Sequence, residues 1–185
     1  MRTRALMTAV CVLLAAPAVL AEEEHRALGA HEHGHGTLNI AVEGGTIAFE
    51  LDVPGMDIIG FEHEPANDAE ERAVEKVESA LAKGLELFAL PEAAGCEQND
   101  ADVELSDVEH GATDKDGHDA GAHNAFHVVY EFACKSVGDV KRIGFGFFKT
   151  FPGSAALSVT VVTPKGQSKI EVTRDKPEAD LSGLM

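Results

Sequence analysis

Histidines are clustered in two short segments of this 185-residue chain. The first is His31-Glu32-His33-Gly34-His35, with three imidazoles and a carboxylate within five residues. In an extended chain alternate side chains share a face about 6.6–6.8 Å apart, so two of these imidazoles can converge on one ion. All three converge only if Gly34 bends the chain. Because neutral imidazole is a common ligand of zinc, copper and nickel, the spacing predicts a metal site.

The second segment combines histidines with aspartates. His110 and His118 lie in an acidic stretch, where an ion would have to order the chain at a cost in entropy. His123 and His127 are four residues apart at the start of an expected strand, so they need not share a site. His123, at the junction of loop and strand, is the stronger candidate ligand, whereas His127 can equally be a cross-strand neighbour.

One further histidine is flanked by carboxylates. His63 lies between Glu62 and Glu64, so this loop could supply nitrogen and oxygen ligands together. The simpler interpretation is a solvated surface histidine. More broadly, the alternative to a metal-binding chain is a structural envelope protein whose histidines only titrate.

Motifs for nucleophilic chemistry are scarce in the sequence. It has no Gly-x-Ser-x-Gly and no Walker loop. We therefore predict a protein that is not an enzyme. A zinc-dependent hydrolase with an open coordination position is the alternative.

The first 21 residues have the layout of a secretory signal peptide. Arg2 and Arg4 precede an apolar run of about 16 residues, short against the ~20 that a spanning helix needs. We expect cleavage after Ala21, export to the periplasm and no membrane insertion of the mature chain. A polar, His-rich leader is then expected over residues 22–36.

The chain is strongly acidic, with a formal net charge of −17. Loss of Arg2 and Arg4 with the signal would make it −19. This charge excludes non-specific nucleic-acid binding, which needs a basic surface, and it favours cations. The length suits one domain.

Two cysteines, Cys96 and Cys134, remain after the expected cleavage. An even number in an exported protein favours a disulfide between them, and a pair of thiolate metal ligands is the alternative. The disulfide is expected to join the two ends of a flexible insertion over residues 97–123.

The hydrophobic pattern predicts an α+β fold, with a largely antiparallel sheet, one main helix and the His-rich acidic insertion. Residues 38–42 and 47–53 alternate around a Gly-Gly turn, as in a hairpin. Residues 67–87 have helical spacing, with a capping box at Asn67 and Glu70 and an expected end at Gly84. Alternation returns after the insertion. The folded domain is expected over residues 37–174, followed by a loose tail over 175–185.

Several segments together resemble a family of periplasmic zinc-binding proteins from Gram-negative bacteria, whose named member is induced by zinc shortage. The most specific is Ile58-Ile59-Gly60-Phe61-Glu62-His63. The others run from His31 to Ala41, from Pro54 to Asp57, from Tyr130 to Cys134 and from Thr163 to Gln167.

The resemblance implies zinc binding in the periplasm and an accessory role beside a zinc import system. It also implies a His-rich insertion of variable length, which here contains only His110, His118 and His123. The function predicted from the sequence is therefore capture or buffering of Zn²⁺ for zinc acquisition. Copper and nickel remain alternatives, because raw affinity favours Cu²⁺ over Zn²⁺ at such ligands.

Overall fold

The structure is a computed structural model that describes residues 33–108 and 123–185. The expected signal peptide and the histidines His31, His110 and His118 lie outside these residues. The described residues form nine strands: β1 (His35–Glu43), β2 (Thr46–Pro54), β3 (Phe88–Ala89), β4 (Cys96–Val108), β5 (His123–Cys134), β6 (Arg142–Phe145), β7 (Ala156–Thr163), β8 (Gly166–Thr173) and β9 (Glu178–Asp180). The α-helices are α1 (Gly55–Ile58), α2 (Asp68–Leu81), α3 (Gly84–Leu87) and α4 (Phe147–Thr150). In the part of the chain described, no helix has the length and apolar content to cross a membrane.

Two sheets form the architecture. A six-stranded sheet has the order β4-β5-β2-β1-β7-β8, and a three-stranded sheet has the order β3-β6-β9. All strand pairs are antiparallel except β1 with β7, which are parallel. The chain is therefore mostly β-structure with few helices, which agrees with the predicted antiparallel sheet. The β1–β2 hairpin turns at Gly44 and Gly45, as predicted.

Alternation along the strands separates the two faces of the larger sheet. One face carries buried apolar side chains and packs against α2 and the aromatic residues of the smaller sheet. On the central strands these side chains are Leu38, Ile40, Ile47, Phe49, Leu51, Phe126, Val128 and Phe132. The opposite face, termed here the outer face, carries alternate residues that are mostly polar and partly or fully exposed.

The main helix starts where the capping box predicts. The Asn67 side chain accepts hydrogen bonds from the N–H groups of Ala69 and Glu70 at 3.0 and 3.1 Å. The Glu70 carboxylate accepts one from the Ala66 N–H at 2.7 Å. The predicted end at Gly84 is wrong, because α2 ends at Leu81.

Gly84 has a packing role instead of a capping role. It begins α3, and a Cβ at this position would lie 2.8 Å from the rings of both Tyr130 and Phe132. Only a residue without a side chain allows the backbone to approach the core this closely. Sequence position alone does not distinguish this use of glycine from a helix cap.

The predicted flexible insertion begins too early in the sequence. Residues 96–108 form the thirteen-residue strand β4, paired with β5 along its length apart from a register shift between Gln98 and Asp100. Ala101, Val103 and Leu105 pack against the core, while acidic residues alternate with them. The high acidic content therefore reflects an exposed face of an edge strand, and only residues 109–122 of the insertion lie outside the description.

The expected loose tail is also wrong. Residues 178–180 form β9 and pair with β6, and Ala179 and Leu181 are buried. The Thr163 hydroxyl then donates a hydrogen bond to the carbonyl oxygen of Leu184 at 2.9 Å. A three-residue strand is too short to give a readable hydrophobic period, so its docking depends on tertiary contacts.

Cys96 and Cys134 form the predicted disulfide. They are directly opposite each other in the β4–β5 register, whereas Val108 and His123 form the pair at the other end of the hairpin. The disulfide therefore lies about 37 Å along β5 from the insertion, at ~3.4 Å per residue. The expectation that it joins the ends of the insertion is wrong.

Replacing both cysteines by alanine should lower the free energy of unfolding by about 4 kcal/mol. The disulfide closes a loop with a sequence separation of 38 residues and so reduces the conformational entropy of the unfolded chain. Urea unfolding of the variant and the native protein measures the difference. Zinc affinity in the folded state should stay unchanged. A loss of zinc binding would instead favour thiolate ligation.

Tyr130→Phe tests the link between β5 and the end of α2. The buried Tyr130 hydroxyl donates a hydrogen bond to the Leu81 carbonyl oxygen at 2.8 Å, and burial raises the pKa of this phenol. Removing the hydroxyl leaves a buried carbonyl without this donor, which should cost about 1–2 kcal/mol in urea unfolding. An unchanged unfolding midpoint would show that the carbonyl finds another donor.

Candidate metal centre

The strand order brings two distant histidines to the same end of the larger sheet. Strands β1 and β5 flank β2 and are both antiparallel to it, so β1 and β5 begin at the end of the sheet where β2 finishes. His33 precedes β1 and His123 is the first residue of β5. The loop that follows β2 and α1 reaches the same place and carries Glu62.

The carboxylate of Glu62 lies between these two imidazoles. His33 Nε2 is 3.1 Å from Glu62 Oε1 and 3.2 Å from Oε2. His123 Nδ1 is 2.7 Å from Oε2 of the same carboxylate. The Glu62 side chain is only 9% exposed, whereas the side chains of His33 and His123 are 60% and 40% exposed. A fixed carboxylate thus faces two imidazoles that are open to solvent.

Two buried polar residues hold this arrangement. Asp57, 6% exposed, accepts a hydrogen bond from the Gly34 N–H at 2.8 Å and so fixes the turn that carries His33. Asn124, 1% exposed, donates from its side chain to the His63 carbonyl oxygen at 2.9 Å. Its backbone N–H also donates to the Glu62 carbonyl oxygen at 3.2 Å. The Glu62 loop and the start of β5 are therefore joined by a backbone hydrogen bond as well as by the contact between the His123 and Glu62 side chains.

Each imidazole at Glu62 lies near the carboxylate at about the separation of two ligands of one ion. Ligand atoms at about 2.0–2.2 Å from a tetrahedral zinc lie about 3.3–3.6 Å from each other. The two distances from His33 Nε2 are close to this range, and the contact of His123 needs to lengthen by less than about 1 Å. Among the described residues only Glu50, Asp52 and His127 place one ligand atom each within 4.8 Å of one another, so His33 and His123 must also approach each other to share an ion. Two imidazoles and one carboxylate would leave a coordination position for water or a further ligand.

His33 and His35, two members of the expected N-terminal cluster, have different partners. His35 Nε2 lies 3.0 Å from the hydroxyl oxygen of Ser158 on β7, whereas His33 contacts Glu62. Gly34, between them, has φ of +82°, so the chain does turn there. The turn directs the two imidazoles to different partners.

His63 is exposed and lies beside the Glu62 site. Its ring stacks on Phe61 with 4.9 Å between centroids, and its Nδ1 lies 2.9 Å from the Glu64 carbonyl oxygen. The same nitrogen is 3.9 Å from a carboxylate oxygen of Glu70. The hydrogen bond from the Ala66 N–H is the main reason that the pKa of Glu70 is below its usual range, and His63 lowers it further.

His127 belongs to a second group on the outer face. Its Nδ1 lies 2.8 Å from Asp52 Oδ1 on the neighbouring strand. One ligand atom each from Glu50, Asp52 and His127 all lie within 4.8 Å of one another. Sequence reasoning singled out His127 but missed both carboxylates.

Sequence reasoning also missed the shared role of Glu62. In the sequence Glu62 is recognisable only as a neighbour of His63, and Asp57 and Asn124 have no local signal of a role in the site. The Glu50-x-Asp52 spacing was a usable signal, since alternate strand residues share a face. The Glu62 contacts depend on strand order, which has no local signal.

A family model described as ZrgA family zinc uptake protein matches residues 30–181. The matched segment includes the Glu62 site, the Glu50–Asp52–His127 group and every described strand. No curated protein matches the chain. The family description concerns zinc uptake and does not name an enzymatic activity. The match confirms the resemblance to a zinc-related family, and the chain belongs to the ZrgA family of zinc uptake proteins.

Proposed function

We propose that this protein captures Zn²⁺ in the periplasm at His33, Glu62 and His123 and makes it available to a zinc import system. The observation that carries the proposal is the meeting of two imidazoles, 90 residues apart in sequence, on one carboxylate. The zinc uptake family and the disulfide, which is typical of an oxidising compartment, support the cargo and the location.

The exposure of the three side chains suits capture and release. A nearly buried Glu62, backed by the hydrogen-bonded loop, supplies a preorganised negative charge. The two exposed imidazoles can accept an ion from solvent without opening the core. An ion at the surface also remains accessible to a competing ligand. Transfer of Zn²⁺ to an import system requires this access.

Further histidines are covalently close to the same place. His31 is two residues before His33. The segment 109–122 contains His110 and His118 and is followed directly by His123. The two His-rich segments of the sequence are therefore both attached to the Glu62 site. We propose that they raise the local concentration of imidazole ligands beside it and so act as a buffer.

Two other functions use the same residues. Imidazole-rich sites also bind Cu²⁺ and Ni²⁺, and catalytic zinc sites use two histidines and a glutamate with an open position. The zinc uptake family favours zinc as the cargo over both alternatives. Competition between Zn²⁺ and Cu²⁺ for protein purified without an affinity tag tests the choice of metal.

Glu62→Gln should weaken the tightest zinc binding by at least about tenfold, because it removes the ligand charge but keeps the shape of the side chain. Isothermal titration calorimetry with a competing chelator measures the affinity. Glu64→Gln, an exposed carboxylate in the same loop, is the matched control and should change the affinity less than twofold. In chelator-limited medium, only the Glu62 variant should fail to restore the growth of cells lacking the protein. Equal affinities in the two variants would contradict the site assignment.

Replacing residues 109–122 by a two-residue turn should leave the sheet folded, because Val108 and His123 already face each other in the β4–β5 register. His33, Glu62 and His123 all remain, so the tightest site should survive while the number of weakly bound ions falls. Titration of both proteins with a chromophoric zinc indicator measures this. Loss of the tightest site with the core still folded would assign it to the deleted histidines.

A further inference from the structure

The Glu50–Asp52–His127 group lies on the two central strands of the larger sheet. Asp52 on β2 is directly opposite His127 on β5, and Glu50 is two residues from Asp52 on the same face. The side chains of His127 and Asp52 are 33% and 24% exposed, so they are held by their neighbours but remain open to solvent. Rigid strands position all three groups.

A lone histidine–aspartate pair would be the simplest explanation, but the surroundings carry too much negative charge for it. Glu50 brings a second carboxylate into the group, and Glu104 on β4 is directly opposite His127 on the other side. Strands β4, β5, β2 and β1 contain no lysine or arginine along their whole lengths. A protonated imidazole could neutralise only one carboxylate, whereas a divalent cation offsets two.

We propose that Glu50, Asp52 and His127 bind a second Zn²⁺ ion, more weakly than the ion at Glu62. Their ligand atoms, within 4.8 Å of one another, need to approach by about 1–1.5 Å to reach the spacing around a tetrahedral zinc. One imidazole and two carboxylates leave positions for water. The smaller number of nitrogen ligands makes this site the weaker one.

This site is separate from the one at Glu62. His123 and His127 are on the same strand and point to the same face, but four residues place them about 13 Å apart. One ion cannot bind both. The second site therefore goes beyond the proposed function at Glu62 and does not depend on it.

The test uses the full chain, purified without a tag, and titrates it with Zn²⁺ while NMR follows the histidine ring signals. The His127 signals, assigned by their loss in His127→Ala, should shift in a step distinct from that of His33 and His123. Glu50→Gln should weaken this step by about tenfold or more. Glu131→Gln, which removes the same charge from an exposed position on β5, should change it less than twofold.

Titration in the Glu62→Gln background keeps the two assignments distinguishable. The His127 step should persist there even though the tightest binding is weakened. If Zn²⁺ at millimolar concentration leaves the His127 signals unmoved, or if Glu50→Gln and Glu131→Gln have equal effects, the second site is wrong. That result would leave the assignment at Glu62 intact.

Discussion

The hydrogen bonding of β2 between β1 and β5 is the constraint on which both proposed metal-binding groups depend. Because both neighbours are antiparallel to β2, they begin at the same end of the sheet and bring His33 and His123 to the loop that leaves β2. The same register places Asp52 opposite His127. A shift of β5 by one residue would direct both histidines to the apolar side and Phe126 and Val128 to solvent. The burial of those side chains therefore fixes the ligand geometry.

Burial also explains why the two groups differ. At Glu62 the carboxylate is nearly buried and the loop behind it is joined to β5 through Asn124, whereas the imidazoles of His33 and His123 are exposed. On the outer face His127 and Asp52 are held by strands and are less exposed than those two imidazoles. The acidic surface raises the local concentration of cations at both places.

Local patterns in the sequence were sufficient to predict individual secondary-structure features but not the order in which the strands assemble. The Gly-Gly turn, the capping box at Asn67 and the disulfide are determined by adjacent residues or by compartment, and they were predicted. Strand β4 was missed because acids on its exposed face resemble a disordered composition, and β9 was missed because three residues show no period. Convergence at Glu62 requires the strand order, and in particular the position of β2 between β1 and β5 with both antiparallel to it. His33 and His35 have different partners because His35 is the first residue of a strand, with a neighbour of its own in Ser158.

The two ends of the β4–β5 hairpin are restrained in different ways. At one end the Cys96–Cys134 disulfide joins the strands covalently. At the other end His123 is tied to the Glu62 loop and, through Glu62, to His33 by side-chain contacts that an ion would strengthen. The residues that follow His123 belong to the core, since Asn124, Ala125 and Phe126 are 1%, 5% and 0% exposed. Exchange of an ion at Glu62 would therefore involve movement of the exposed His33 and His123 side chains, while the disulfide and the aromatic core keep the strand register.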